Sequence, residues 1–211
     1  MVSLKTLQLD VDNIDTVFIS HLHGDHTFGL PFLFINKWLS SRQKGTDSQF
    51  TILGPNGIDQ FAQTLTEYAF TRSHPCYEWL QHNIRFTIIK NHAEIPVNTL
   101  TVSCFELPHL VETYGFFIKH HHELLFAYIA DTTWCPQVEQ LLVQKPKLVL
   151  MDMNGGNPNV HTSLDEVIKK GLPLTKGETI YYGTHLAEEF DHPDEHIQCA
   201  KQGEEIMIQY E

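Results

Sequence analysis

The chain has 211 residues, of which 42% are hydrophobic and 19% charged, and its formal net charge at pH 7 is −12. This length fits one ordinary folded domain with a sizeable core, and the composition is that of a globular rather than a disordered protein. The negative charge repels phosphate backbones at long range, which disfavours extended nucleic acid as a partner. An anionic substrate remains compatible with it, because bound divalent cations reverse the local field.

The composition also bears on where the protein works. The N-terminal sequence MVSLKTLQLDVDN lacks the basic and apolar regions of a secretion signal. The longest apolar stretch, GLPFLFINKWL, is too short and too interrupted to span a membrane, so no membrane partner is predicted. Four widely spaced cysteines form no CxxC pair, which favours a reduced, cytoplasmic protein: Cys76, Cys104, Cys135 and Cys199.

Hydrophobic patterning predicts strands and helices in alternation. The first half of the chain gives, in order, IDTVFIS (14–20, strand), GLPFLFINKWLSSRQ (29–43, helix), FTILGP (50–55, strand) and NGIDQFAQTLTEYAF (56–70, helix). The second half gives the strands IRFTIIK (84–90), LTVSCFEL (100–107), YGFFIK (114–119) and LLFAYIA (124–130), and then helix CPQVEQLLVQ (135–144), strand KLVLMDM (147–153), helix SLDEVIKKG (163–171) and strand ETIYYGT (178–184). This order predicts sheets covered by helices, with functional side chains on the loops at strand ends.

The loop SHLHGDH (20–26) directly follows the first predicted strand. His21 and His23 lie two residues apart in an extended segment and project to the same side, which suits chelation of one ion. Asp25 and His26 then turn toward a neighbouring position. Imidazole combined with carboxylate suits zinc, iron or manganese better than calcium. A polar loop of satisfied histidines is the alternative, and the density of ligands disfavours it.

Three further residues of ligand type each follow an apolar run. His109 comes after LTVSCFEL, Asp131 after LLFAYIA, and His185 after ETIYYGT. Each can therefore converge with the others at one end of a sheet. The histidines of KHHHE (119–123) lie instead in a predicted hairpin turn, where a solvated tip is expected.

With these residues in view, the sequence resembles the metallo-β-lactamase superfamily, whose signature loop is matched by TVFISHLHGDHTFGLPFL. The resemblance implies a four-layer αββα sandwich of two mixed sheets flanked by helices. It also implies two divalent ions, zinc first and manganese or iron as alternatives, about 3.5–4 Å apart. The implied ligands are His21, His23 and His109 for the first ion, Asp25, His26 and His185 for the second, and Asp131 bridging both.

Within the superfamily, three segments resemble the ribonuclease Z-like phosphodiesterase branch: FISHLHGDHTFGLPFL, PHLVETYGFFI and YIADT. True β-lactamases usually carry cysteine where this chain has Asp131, so the resemblance disfavours antibiotic hydrolysis. That branch has a further histidine before the last ligand, which His161 in NVHTSLDEV matches. The resemblance then implies that His161 is a catalytic proton donor. The alternative is that His161 has only a structural place at the start of a helix, whose cap is Thr162 or Ser163. Asp152 is either a partner of the metal ligands or a structural cap.

The resemblance therefore implies a dinuclear metal-dependent phosphodiesterase with a metal-bridging hydroxide as nucleophile. Asp25 and His161 are the predicted catalytic residues. Two alternatives stay open: a thioester or lactone hydrolase like glyoxalase II, and a metal-binding protein with little activity. The acidic charge and the absence of a Lys/Arg/Gly-rich arm favour a small, short or cyclic phosphodiester over tRNA as substrate.

The two ends of the sequence differ in how they match the family. Relatives usually have a hairpin and a strand before the signature loop, whereas SLKTLQLDVDNID resembles only the last helix and turn of that region. At the other end, QGEEIMIQY resembles the usual final strand. The prediction is a single domain over residues 1–211 that lacks the first strands. Homodimer contacts or a rearranged N-terminus are expected to cover the surface that this exposes.

Overall fold

The computed structural model describes residues 2–46, 49–186 and 188–209, with side chains from residue 4 onward. The chain divides into two compact units, Met1–Ile89 and Lys90–Glu211. Each unit has its own sheet and its own apolar core. No helix in the described part of the chain is long and apolar enough to cross a membrane.

The first unit combines helices with a small sheet. Its described helices are α1 (Val2–Thr6), α2 (Gly24–Thr27), α3 (Leu30–Lys44), α4 (Ile58–Phe70) and α5 (Pro75–Asn83), with a 3-10 turn at Val11–Asn13. Its described strands are β1 (Thr16–Phe18), β2 (Phe50–Gly54) and β3 (Ile84–Ile88), which pair in parallel in that order. The central strand β2 is the most buried of the three, as expected for a parallel strand with neighbours on both sides.

The helix that follows the histidine loop packs on this sheet. Helix α3 carries Pro31 in its first turn, where the missing N–H costs nothing, and it ends at Gly45 in a left-handed conformation (φ +64°). Its buried Phe34 lies 6.1 Å, ring to ring, from Phe50 of β2. Lys37 is also buried there, with its ammonium group 5.1 Å from the Phe50 ring.

The second unit is built on a larger mixed sheet. Its described strands are β4 (Glu94–Val97), β5 (Leu100–Leu107), β6 (Thr113–His120), β7 (Glu123–Ile129), β8 (Leu148–Asp152), β9 (Ile180–Thr184) and β10 (Ile197–Cys199). They lie in the order β10-β9-β8-β7-β6-β5-β4, with β4 to β7 antiparallel and β7 to β10 parallel. Because β5 and β7 are both antiparallel to β6, the strands β5, β7, β8 and β9 all point the same way. Their carboxyl ends therefore meet at one edge of the sheet.

Short helices complete the second unit. They are α6 (Pro136–Leu142), α7 (Leu164–Glu166), a π turn at Val167–Gly171 and α8 (Leu172–Thr175). Val138 and Leu142 of α6 are fully buried against a core that includes Ala127, Val149 and Tyr181. All four cysteines of the chain are free and buried, and burial raises the thiol pKa of Cys76 and Cys104 to about 11.

The predicted fold class is confirmed, since the chain has two sheets with accompanying helices. The larger sheet is mixed, whereas the smaller one is parallel throughout its described strands. Sequence patterning missed α5, β4 and β10. The prediction of a final strand in QGEEIMIQY is wrong for the described residues of this segment, because residues 204–209 join no sheet. The single-domain prediction stays a prediction.

Candidate metal centre

The first set of candidate ligands is contiguous and lies in the first unit. Ile19 donates its backbone N–H to Leu53 at 2.8 Å, so the chain is tied to β2 until two residues before His21. His23 occupies the N-cap position of α2, and its carbonyl accepts a 2.7 Å hydrogen bond from the hydroxyl of Thr27. The loop is therefore held at both ends by backbone contacts.

Within this loop the imidazoles converge. His21 is fully buried, with Nδ1 3.0 Å from the Ser20 hydroxyl and Nε2 3.0 Å from Nδ1 of His23. The ring of His26 lies 4.1 Å from that of His21, centroid to centroid. Nε2 of His26 is 3.4 Å from the carboxylate of Asp25, whose side chain is 58% exposed. All four predicted ligands of the loop are thus neighbours in space.

Gly24 leaves room for the ring of Phe28 beside the loop. A Cβ atom at this position would lie 2.5 Å from the ring of Phe28, which packs directly over the glycine. Phe28 itself is 62% exposed. The glycine therefore lets an aromatic ring lie against the backbone between His23 and Asp25.

The second set of candidate ligands lies at the sheet edge of the second unit where four strands end. His109 follows β5, Asp131 follows β7, and His185 follows β9. Asp152 is the last residue of β8. Residues far apart in sequence are thus brought to one edge by the parallel direction of their strands.

Close contacts join this second set. The Asp131 carboxylate lies 3.4 Å from Nε2 of His185 and 3.9 Å from Nδ1 of His161. Nδ1 of His161 is hydrogen-bonded to Asp152 at 2.8 Å. The His161 ring stacks on His185 with 5.0 Å between centroids, and it lies 5.9 Å from the His109 ring. Every sequence-predicted site residue of this unit is therefore part of one cluster.

Two buried carboxylates dominate the electrostatics of this cluster. Asp131 is 3% exposed and Asp152 is 1% exposed. Burial raises the pKa of Asp152, and the nearby Asp131 charge adds to this; hydrogen bonds from the Asn154 backbone and from His161 offset only part of it. A site that concentrates negative charge in this way is stabilised by cations.

Two buried threonines connect the loops through hydrogen bonds; no role was predicted for Thr132, and Thr162 was considered only as a helix cap. The Thr132 hydroxyl donates to the carbonyl of Pro108 at 3.0 Å, and the Thr162 hydroxyl donates to the carbonyl of Thr132 at 2.9 Å. These bonds connect the loop after β5, the loop after β7 and the segment that carries His161. A sequence signal existed, because each threonine directly follows a candidate site residue in ADT and VHT.

Of the two caps considered at the helix entry, Ser163 is the one observed: it forms a reciprocal capping box with Glu166 ahead of α7. The His161 side chain, two residues before this cap, is hydrogen-bonded to Asp152. In the β6–β7 turn, His121 and His122 are exposed, as predicted, whereas His120 is the last residue of β6 and is half-buried.

The ligand spacing within each unit fits a metal ion. Nitrogen ligands of a tetrahedral zinc ion are about 3.3 Å apart, because each Zn–N bond is about 2.0–2.1 Å. The 3.0 Å pair of His21 and His23 and the 3.4 Å pair of His185 and Asp131 are close to this separation. Asp152, His161 and His185 also bring one ligand-type atom each within 4.8 Å of one another, but the 2.8 Å contact of His161 with Asp152 is a hydrogen bond.

Solved structures define the class of protein. Bacillus subtilis YhfI, described as a metallo-β-lactamase fold protein, superposes with a TM-score of 0.73 over 96% of this chain and 81% of its own, at 17% identity. The short form of human tRNase Z gives a TM-score of 0.69 over 98% of this chain and 84% of its own, also at 17% identity. The chain therefore has the metallo-β-lactamase fold.

Sequence comparison narrows the class to a family. Ribonuclease Z of Staphylococcus haemolyticus is 33% identical over 111 residues, which are 53% of this chain and 33% of that protein. The chain thus spans about a third of the length of this curated relative. The predicted ribonuclease Z-like branch is confirmed. Residues 1–206 match the family described as "Anti-Pycsar protein Apyc1", and the chain belongs to that family.

Proposed function

We propose that this protein is a metal-dependent hydrolase of small phosphodiesters. The proposed ligands of two divalent ions, zinc first and manganese or iron as alternatives, are seven side chains: His21, His23, Asp25, His26, His109, Asp131 and His185. The observation that carries the proposal is the gathering of Asp131, Asp152, His161 and His185 at one sheet edge. The histidine loop and His109 supply the remaining ligands.

The metals and the protein side chains have separate tasks. When bound, the two ions polarise the phosphoryl oxygens and lower the pKa of water toward neutrality. Among the chain's own residues, Asp131 concentrates the negative charge that attracts both ions. Ser20 and Thr162 fix the residues next to them, His21 and His161, through hydrogen bonds that pre-orient the site.

His161 is the proposed proton donor. Its Nδ1 is held by Asp152 at 2.8 Å, which fixes the ring orientation and turns Nε2 away from that carboxylate. As an imidazolium paired with the Asp152 carboxylate, His161 carries a proton on each ring nitrogen, and its Nε2–H donates a hydrogen bond or its proton to the leaving oxygen of the substrate. Asp25, with its largely exposed carboxylate beside His26, is the second group proposed to move a proton.

The proposed substrate is a short or cyclic phosphodiester. The names of the similar proteins, ribonuclease Z and tRNase Z, denote enzymes that act on RNA. The net charge of −12 disfavours long-range attraction of an extended polyanion, so a small diester fits this chain better. A homodimer in the cytoplasm is part of the same proposal.

The test is turnover of bis(p-nitrophenyl) phosphate by protein loaded with zinc or manganese, beside a thioester and a lactone. We expect hydrolysis of the phosphodiester, lost in His23→Ala and retained in His122→Ala, a matched change at an exposed histidine of the β6–β7 turn. Cleavage of the thioester or the lactone with no cleavage of the phosphodiester would refute the proposal in favour of a thioester or lactone hydrolase. Fewer than about one bound ion per chain would refute a dinuclear enzyme altogether.

A further inference from the structure

His185 lies in an unusual backbone conformation. Its φ angle is +54°, in the left-handed region that residues with a Cβ atom seldom adopt. It is the residue directly after β9, so the chain leaves the sheet by turning sharply at a proposed metal ligand. Such a conformation persists only where neighbouring groups enforce it.

Asn154 supplies the neighbouring group. Its side-chain amide nitrogen Nδ2 donates a 2.8 Å hydrogen bond to the backbone carbonyl of His185 and lies 3.3 Å from Nδ1 of the same residue. The amide oxygen Oδ1 of Asn154 accepts the N–H of Gly156 at 3.0 Å. The amide orientation is therefore fixed on both sides, because the carbonyl can only accept and the N–H can only donate.

Asn154 is in turn fixed to the same sheet edge. Its backbone N–H donates to Asp152 at 2.9 Å, and Asn154 forms an isolated antiparallel bridge with Ser163. The segment after β8 is thus tied to Asp152 and to Ser163, and the N–H of Met153 also bonds the carbonyl of Thr184, the residue before His185, at 3.1 Å. A rigid partner of this kind can determine the position of His185.

We propose that Asn154 is a positioning residue for His185. By holding the carbonyl of His185, it maintains the left-handed turn that places Nε2 of His185 3.4 Å from the carboxylate of Asp131. This inference rests on the proposed function, in which His185 is a metal ligand. Asn154 itself touches neither ion nor substrate and acts only through His185.

The first measurement is metal affinity, by calorimetric titration of zinc into the metal-depleted full chain. We expect Asn154→Ala to weaken the more weakly bound ion about 10–100-fold, the usual effect of losing a group that orients a ligand. Asn157→Ala is the matched control, because exposed Asn157 makes the same kind of contact, Oδ1 to the N–H of Asn159 at 3.1 Å. The control should stay within about twofold of the wild type.

A double-mutant cycle separates positioning from a general structural role. In a His185→Ala background, Asn154→Ala should change the zinc affinity by less than about twofold, because the ligand it positions is gone. A full additional 10–100-fold loss in that background would overturn the inference, and so would wild-type affinity in Asn154→Ala itself. If Asn154→Ala does not fold, Asn154→Asp keeps the acceptor for Gly156 and loses the donor to His185. The added negative charge alone would tighten cation binding, so weaker binding in that variant reports the lost donor.

The same titrations keep the two proposals apart. Wild-type protein that binds two ions but leaves bis(p-nitrophenyl) phosphate intact refutes the phosphodiesterase proposal, while the affinity loss in Asn154→Ala still supports positioning. An active wild type with unchanged affinity in Asn154→Ala refutes positioning alone.

Discussion

The two units present their candidate ligands in opposite ways. In the first unit four ligand residues follow one another in a single loop, joined by local contacts such as the 3.0 Å approach of His21 and His23. In the second unit Asp131 and His185 come from separate segments and meet because β7, β8 and β9 share a direction. The first set depends on a local turn, and the second depends on the whole sheet.

This difference predicts unequal tolerance to change. Half-exposed Asp25 and the ring of Phe28 can shift without disturbing a core. Asp131 and Asp152 are held in a buried, hydrogen-bonded frame where a shift leaves a polar group unsatisfied. Substitutions of buried site residues in the second unit should therefore lower both the turnover and the free energy of unfolding.

The largest effect is expected for Asp131→Asn. Loss of the buried carboxylate removes the proposed bridging ligand, and turnover of bis(p-nitrophenyl) phosphate should fall about 10³-fold or more. Asp165→Asn is the control, since Asp165 forms an exposed ion pair with Lys169 on α7 and the π turn. Equal turnover in the two variants would show that Asp131 has no part in the reaction.

A smaller effect is expected for His161→Ala. Removing a proton donor typically costs about 10²-fold in kcat, and the bound metal content should not change. His196→Ala is the control, because His196 also pairs with an aspartate, Asp194 at 2.9 Å, but belongs to the segment before β10. A loss of metal together with activity in His161→Ala would make His161 a ligand instead of a proton donor.

Alanine substitutions at two glycines, one in each unit, test the rigidity of their surroundings through the free energy of unfolding measured by chemical denaturation. A Cβ at Gly115 of β6 would lie 2.6 Å from the backbone carbonyl of Tyr128 and 2.6 Å from the Phe105 ring, so Gly115→Ala should lower the free energy of unfolding by about 2 kcal/mol. Gly24→Ala meets only the movable ring of Phe28 and should cost less than about 1 kcal/mol. Gly29→Ala, with open space around it, is the control. The reverse order for Gly24 and Gly115 would remove the contrast between a tolerant loop and a rigid sheet.

The sequence predicted the elements that carry strong periodicity. Helices α3 and α4 begin and end within two residues of their predicted bounds. Helix α5 was missed because PCYEWLQHN is short and buries only Cys76, Trp79 and Leu80. Strand β4 contains Pro96 and lies at the sheet edge, where proline is tolerated but gives no strand signal. Strand β10 has three residues and is defined only by its pairing with β9.

In the candidate site, too, local features could be predicted and long-range contacts could not. The histidine loop could be predicted because its ligands are adjacent in sequence, and Asp152 and His161 were each singled out by position. Their 2.8 Å pairing could not be predicted, since it depends on a turn at Gly155 (φ +68°) and on the bridge between Asn154 and Ser163. The contact of Asn154 with His185 spans 31 residues and follows no local pattern.

The central claim is that this chain binds two metal ions through the proposed ligands, which include His23 and His185. Elemental analysis of purified wild type, His23→Ala and His185→Ala tests it most directly, because each variant removes one ligand from one unit. The account predicts two ions per chain in the wild type and about one or fewer in each variant. Two ions retained in His185→Ala, or in His23→Ala, would contradict it.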